Sequence, residues 1–263
     1  MTLHIYFIDA FTTEAFKGNP AAVMVLDQWL PDTLMQSIAA ENNLSETAFL
    51  VKNAIGRYHI RWFSPLKEIA FCGHATLASA YVLLTKVSVP PPLAFWADAI
   101  GAFTVSSLQN GQMEMDFPNQ MPSPVEDIPT ALLTGLSIKP ARVLCNRQAY
   151  FAVYEHEHEV REVVPDLNTL KALAPLDVVV TAAGTEYDFV SRYFWPANGG
   201  NEDPVTGSIH TGLAPYWARR LGKPELTALQ ASQRTGVLHC RVTEERVMIS
   251  GSCVQYLEGR IDF

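Results

Sequence analysis

The chain has 263 residues, 48% of them hydrophobic, and a formal net charge of -8. That is enough apolar material for one large domain or two lobes and excludes a disordered chain. The acidic balance, with no basic cluster or aromatic-plus-Arg stripe, excludes a general nucleic-acid surface, so an anion must be held locally by dipoles and a few placed side chains.

No apolar run approaches the roughly 18 residues of a membrane helix, and the N-terminus lacks a charged-then-apolar leader, so the expected location is cytoplasmic with no membrane partner. Cys72, Cys145, Cys240 and Cys253 are scattered without CxxC spacing, which fits reduced thiols and carries no zinc signature. LHIYFIDAF (Leu3 to Phe11) alternates and is rich in β-formers, which predicts a strand; GNPAAVMVL (Gly18 to Leu26) is a turn into another. Asp32 is a candidate N-cap for a helix over TLMQSIAAENN, whose Leu34, Ile38 and Ala39 recur at helical spacing and which should end near Asn42 or Asn43. LSETAFLV (Leu44 to Val51) passes from a polar turn into an apolar strand with Glu46 at the junction, and YHIRWFS (Tyr58 to Ser64) is the next strand.

FCGHATLASAYVLL (Phe71 to Leu84) reads as a helix entered at Gly73-His74, and a Pro90-Pro91-Pro92 loop follows. Leu93 to Phe117 supplies alternating strands with an Asn110-Gly111 hairpin turn. The Pro-rich segment Pro118 to Pro129 marks a crossover, so the expected lobes are 1–118 and 119–263, with room for a terminus to cross between them. The second half replays the order: a short helix near Pro129 to Gly135, strands around Arg142 to Tyr154, a helix near Asp166 to Leu173, then strands DVVVTAA (Asp177 to Ala183) and FVSRYF (Phe189 to Phe194). A second Gly-led run, DPVTGSIHTGLAPYW (Asp203 to Trp217), predicts a helix reaching Leu221, and closing strands are expected around Gly236 to Arg260.

The two halves can be laid over one another. Gly207 minus Gly73 is 134, Asp166 minus Asp32 is 134, and RWFSP (Arg61 to Pro65) answers RYFWP (Arg192 to Pro196) at 131. A single repeat of half the chain predicts two similarly folded lobes related by approximate two-fold symmetry, in the α+β class.

Each Gly-led helix start leaves backbone N–H groups unpaired at the positive end of the helix dipole, so Gly73-His74 and Gly207-Ser208 are candidate cradles for a small carboxylate or phosphate. Either one alone is weak evidence, since a Gly before a helix is more often a plain turn. Glu46 reads two ways as well: a surface carboxylate at a strand end, or an acid/base at the core edge where water is partly excluded. EHEHE (Glu155 to Glu159) places His156 and His158 on one side if it is a strand, but no third ligand is evident and no metal is expected. Cys72 has Thr206 as its counterpart at the 134 offset, and a hydroxyl is too weak an acid for symmetric two-thiol chemistry. Ser208 lacks the two-Gly elbow of a hydrolase nucleophile, which leaves proton transfer on a small carboxylate.

GNPAAV (Gly18 to Val23), SETAF (Ser45 to Phe49), FCGHAT (Phe71 to Thr76) and DPVTGS (Asp203 to Ser208), in that order, closely resemble the phenazine-biosynthesis PhzF-like family over nearly the whole chain. The resemblance implies a diaminopimelate-epimerase-like fold, in which two pseudo-symmetric lobes each wrap a barrel-like sheet around a central helix and the active site lies between them. It implies an isomerase with Glu46 as general acid/base, and it matches His74, Asp203 and Ser208 to positions that hold substrate and assist proton movement. Gly73 and Gly207 join them as substrate-binding cradle residues. No cofactor is expected, since proton movement by a Glu needs none, and relatives commonly form homodimers. The alternatives are an amino-acid epimerase or racemase on the same fold, with Glu46 and Asp203 as its two groups, and a paralogue that binds a small anion without turnover.

Overall fold

The computed structural model describes residues 2–262. The chain divides into two units, Met1–Asp116 with Ser250–Phe263, and Phe117–Ile249. The first holds strands β1 (Thr2–Ala10) and β2 (Asn19–Leu26), helix α1 (Asp32–Asn42), and strands β3 (Glu46–Lys52), β4 (Tyr58–Phe63) and β5 (Glu68–Ile69). Helix α2 (Gly73–Thr85) and strands β6 (Leu93–Ala97), β7 (Gly101–Ser107) and β8 (Met113–Pro118) complete its N-terminal run.

The second unit opens with β9 (Ser123–Pro124), α3 (Thr130–Thr134), β10 (Arg142–Cys145) and β11 (Ala149–Val153). It continues through α4 (Glu157–Glu162), α5 (Leu167–Leu170), β12 (Asp177–Ala183), β13 (Phe189–Phe194) and β14 (Glu202–Asp203). It ends with α6 (His210–Leu221), β15 (Glu225–Gln230), β16 (Gly236–Val242) and β17 (Arg246–Gly251), after which β18 (Cys253–Asp262) pairs antiparallel with β1. The strand β18 thus lies in the first unit.

Sequence pattern explains why these strands lie where they do. The central strands β2, β3 and β12 are apolar almost without interruption because they are covered on both faces. On one face of the first unit, Ala22, Met24, Phe49 and Phe63 pack with Met35 and Ile38 of α1. The other side is taken by α2, which is apolar all round: Gly73 to Ala80, Val82 and Leu83 are buried. Each fully buried Leu or Val of that helix contributes about 1.5–3 kcal/mol relative to an exposed one.

In the second unit Val178, Val180, Ala182 and Phe194 pack with Val160 of α4 and Leu170 of α5. The eight residues His210 to Trp217 bury most of α6, and the Trp217 indole donates to Thr181 Oγ1 at 2.9 Å.

The internal repeat is explicit in the pairing registers. β2 runs parallel to β3 with Ala21 opposite Glu46, and β11 runs parallel to β12 with Ala149 opposite Asp177. Thr47 lies opposite Phe63 and Val178 opposite Phe194, so β3–β4 maps onto β12–β13 at an offset of 131. Phe63 then pairs with Glu68 and Phe194 with Glu202, an offset of 134 for the short strands β5 and β14. The three-residue shift lies in the connecting loops: four residues, 64–67, in the first unit against seven, 195–201, in the second.

The helices α2 and α6 then serve the same topological purpose, carrying the chain from β4 to the parallel strand β6 and from β13 to the parallel strand β15.

Each unit also repeats an arginine clamp. Arg61 gives a bidentate pair to Glu68 at 2.7 Å and its third nitrogen to Asp32 at 2.8 Å, with its guanidinium over Phe63. Arg192 grips Glu202 at 2.8 and 3.0 Å over Phe194, and its remaining nitrogen donates to the carbonyls of Val160, Arg161 and Val163 at the end of α4.

Two local expectations change. Asp32 is the first helical residue rather than the N-cap, because its carboxylate is drawn to Arg61; Pro31 occupies the cap position without a side-chain bond. EHEHE is not a strand. It enters α4 through a capping box in which Glu159 Oε2 accepts from the N–H groups of Glu155 and His156, so His156 and His158 stack as neighbouring rings near a helix start. Glu157 accepts from Arg161 and Thr185. By contrast Asp166, the counterpart of Asp32 at the 134 offset, caps α5 by accepting from the N–H groups of Asn168 and Thr169. Among the described residues no helix is long and apolar enough to cross a membrane.

Candidate active site

Glu46 is the first residue of β3 and is 8% exposed, so the strand end lies inside the core edge rather than on the surface. Its Oε2 stands 3.0 Å from His74 Nε2. His74 is the second residue of α2, and the strand–helix order places the two together: parallel pairing fixes where β3 begins, while the buried helix fixes its own first turn.

Asn19, fully buried at the start of β2, donates from Nδ2 to His74 Nδ1 at 3.1 Å. That bond makes Nδ1 the acceptor and leaves the ring proton on Nε2, the nitrogen that stands beside Glu46. The 3.0 Å approach is not aligned as a hydrogen bond, and catalytic contacts of this kind tighten when a substrate enters. Cys72, the N-cap of α2, brings its thiol to 3.4 Å from His74 Nδ1 and 3.8 Å from Nε2.

A carboxylate in reach of an imidazole, both shielded from water, can take a proton from carbon and pass it on. The positive end of α2 beside them favours negative charge.

The second unit holds the rest of the expected site. Asp203, the last residue of β14, accepts through Oδ2 from the Thr206 hydroxyl. Gln230, fully buried at the end of β15, clamps this turn: its Oε1 accepts from Thr206 N at 2.8 Å and its Nε2 donates to the Asp203 carbonyl at 2.9 Å. Gly207 and Ser208 do not start the helix directly. Bonds from His210 N to Gly207 O, Thr211 N to Ser208 O and Gly212 N to Ile209 O form a tightened entry turn, and α6 begins at His210. The Gly207 and Ser208 N–H groups thus precede the helix proper.

Sequence reasoning missed three members of this half. Gln148 Nε2 donates to Ser208 Oγ at 2.9 Å and to Tyr193 OH at 3.1 Å, while Tyr193 OH donates to Asp177 Oδ2 at 2.6 Å. The polarity of this chain is fixed at its end, because the carboxylate only accepts. Tyr193 must therefore donate to it and accept from Gln148, and Ser208 Oγ, accepting from the same amide, keeps its own proton free to donate.

Burial raises the Asp177 carboxyl above its ordinary range against the lowering effect of Tyr193 and Asn198, and burial likewise pushes the Tyr193 hydroxyl up. The offset of 131 makes Asp177 the counterpart of Glu46, a signal already present in the sequence. Asn19 could have been read from the GNPAAV motif in the same way.

His210 anchors the entry turn by donating from Nδ1 to the Thr206 carbonyl at 2.9 Å. Complete burial depresses its pKa to about 4, more than the Thr206 bond offsets. The unfolded chain, with an ordinary His value near 6.5, therefore binds the proton more readily. The stabilisation is complete above about pH 6.5 and is lost as pH falls toward 4, by on the order of 3 kcal/mol. In a carbon-detected NMR titration the His210 ring should remain neutral until the pH nears 4; a midpoint near 6.5 in the folded protein would contradict this.

A buried carboxylate beside a buried imidazole thus sits in one of two similarly built α+β units. Residues 8–259 match the sequence profile of the family described as "Phenazine biosynthesis-like protein". An uncharacterized isomerase of Pseudomonas aeruginosa is 47% identical over 99% of both chains. The crystal structure of a PhzF-family phenazine biosynthesis protein from Enterococcus faecalis superimposes with a TM-score of 0.95 at 44% identity, covering all of both chains. A hydroxyproline epimerase from Agrobacterium vitis shares the fold alone, with a TM-score of 0.60 at 10% identity, over 99% of this chain and 92% of its own. The chain belongs to the phenazine biosynthesis-like family, and it is an isomerase.

Proposed function

We propose that the enzyme moves a proton on a small carboxylate-bearing substrate without a cofactor, with Glu46 as general acid/base. The observation that carries this reading is the buried Glu46–His74 pair at 3.0 Å, oriented from behind by Asn19. Glu46 takes a proton from a carbon next to an activated system and returns it to another carbon; His74 hands the proton on and stabilises the charge that builds up. Asp203, held by Thr206 and Gln230, assists the second proton movement. Gly73 in the first unit and Gly207 and Ser208 in the second are the anion-binding positions of this reading, Ser208 through the proton that its bond from Gln148 leaves free to donate.

The test is proton NMR in heavy water with a panel of small cyclic and β-substituted carboxylic and amino acids. The expected result is loss of a carbon-bound proton signal with at least one compound. Return of the label at a different carbon marks isomerisation, and return at the same carbon with inversion marks an epimerase. Measurable binding of a panel member with no exchange by the wild type would leave a non-catalytic anion binder and overturn the proposal.

A further inference from the structure

The second unit holds a polar side-chain chain that ends on Ser208, and its far end is a carboxylate that the proposed proton transfer does not use. Asp177 occupies at the start of β12 the place that Glu46 holds in β3. It accepts from Tyr193 OH at 2.6 Å through Oδ2 and from Asn198 Nδ2 at 2.8 Å through Oδ1. Gln148 Nε2 donates to Tyr193 OH at 3.1 Å and to Ser208 Oγ at 2.9 Å. We propose that Asp177 is a positioning residue that keeps Ser208 a hydrogen-bond donor, and so makes this half of the site select a carboxylate over a carboxamide. The selectivity rests on Ser208 meeting the ligand, as in the function proposed above; the polarity of the chain does not.

Each link has one direction while Asp177 is ionised. A carboxylate only accepts, so Tyr193 commits its single proton there and meets Gln148 as an acceptor. The same amide nitrogen reaches Ser208, whose oxygen also accepts and whose proton is left for another group. The Ser208 hydroxyl then joins the Gly207 and Ser208 N–H groups in an all-donor set. A carboxylate answers that set with two accepting oxygens, whereas a carboxamide offers one and turns an N–H toward a donor.

Removing the charge reverses the chain. In Asp177→Asn the atom that faces Asn198 must stay an oxygen, because Asn198 Nδ2 also donates to the Pro175 carbonyl at 3.2 Å and its amide cannot turn without setting two acceptors against each other. The new amide nitrogen therefore faces Tyr193. Tyr193 accepts from it and donates to Gln148, whose amide turns to present Oε1, and Ser208 gives its proton to that same oxygen. The sign of the effect separates this account from simple electrostatics. Loss of a negative charge near an anion strengthens its binding by Coulomb's law, while reversal of the chain weakens it.

The experiment is NMR on isotope-labelled full-length protein, with acetate and acetamide as the probes. In the wild type the Gln148 side-chain amide protons should show cross-relaxation to the Ser208 β-protons and the Tyr193 ring. Acetate should shift the Gly207 and Ser208 backbone amides with an affinity at least about tenfold that of acetamide. Asp177→Asn, which is isosteric, should erase those cross-peaks and bring the two affinities within about threefold of each other. On a Ser208→Ala background the same change should leave the affinity ratio where it is, which a merely structural role for Asp177 would not require. Tyr193→Phe keeps the buried ring and cuts the chain, so the Gln148 cross-peaks should weaken there too. Cross-peaks of wild-type strength in either variant overturn the polarity, and a turned amide with an unchanged acetate preference overturns the selectivity. If acetate shifts neither backbone amide of the wild type, the anion-binding role of Ser208 falls and the selectivity with it, while the cross-peaks still decide the polarity.

Discussion

Glu46→Gln is expected to lower turnover by about 10²- to 10⁴-fold while leaving the fold and substrate affinity near those of the wild type. The change is isosteric, so the packing at the start of β3 is retained, and the amide oxygen still faces His74 Nε2. What it removes is the one capacity the mechanism needs, a carboxylate able to gain and lose a proton. A loss of that size corresponds to about 2.7–5.5 kcal/mol in the barrier, the range expected when one positioned acid/base is deleted. Circular dichroism and the melting temperature should be unchanged, and deuterium incorporation into the bound carboxylate should disappear with turnover. A variant that turns over at the wild-type rate removes Glu46 from the mechanism.

The largest stability effect is expected at Arg192→Ala, a loss of about 3–5 kcal/mol in urea unfolding at pH 7. The guanidinium is 14% exposed; it satisfies both oxygens of Glu202 and three carbonyls at the end of α4. Truncation leaves a poorly hydrated carboxylate and orphaned acceptors. That costs more than the pair itself contributes, because burying unpaired charge is worse than burying no charge.

Arg192→Lys should lie between the two, as an ammonium cannot make the bidentate grip. The Arg192→Met, Glu202→Gln double variant should recover much of the loss. Glu202 precedes Asp203 on β14, so on the role proposed for Asp203 the Arg192→Ala variant should also turn over more slowly. A loss below about 1 kcal/mol would place the clamp among surface ion pairs and sink this account.

Sequence alone determined the architecture in outline. Period-two alternation located most of the strands, helical spacing located α1, Gly-led runs located α2 and α6, and the 131 and 134 offsets disclosed the repeat that the registers of β3–β4 and β12–β13 display. Those signals are local or additive, so they survive without coordinates. The motif resemblance singled out Glu46, His74, Asp203 and Ser208, and the structure pairs two of them, Glu46 with His74.

Tertiary structure decided what depends on which distant groups compete for a side chain. Asp32 gives up its capping role because Arg61, 29 positions away, offers a charged donor. EHEHE becomes a helix start because Glu159 meets backbone N–H groups that no periodicity reveals. The tautomer of His74 is set by Asn19, 55 positions away, and the free proton of Ser208 by Gln148, Tyr193 and Asp177. Hydrogen-bond direction and the loss of water at a strand end follow from packing between segments far apart in the chain. A sequence states which groups are present; the fold settles which of them meet, because burial leaves each polar group only the partners that packing brings within about 3 Å.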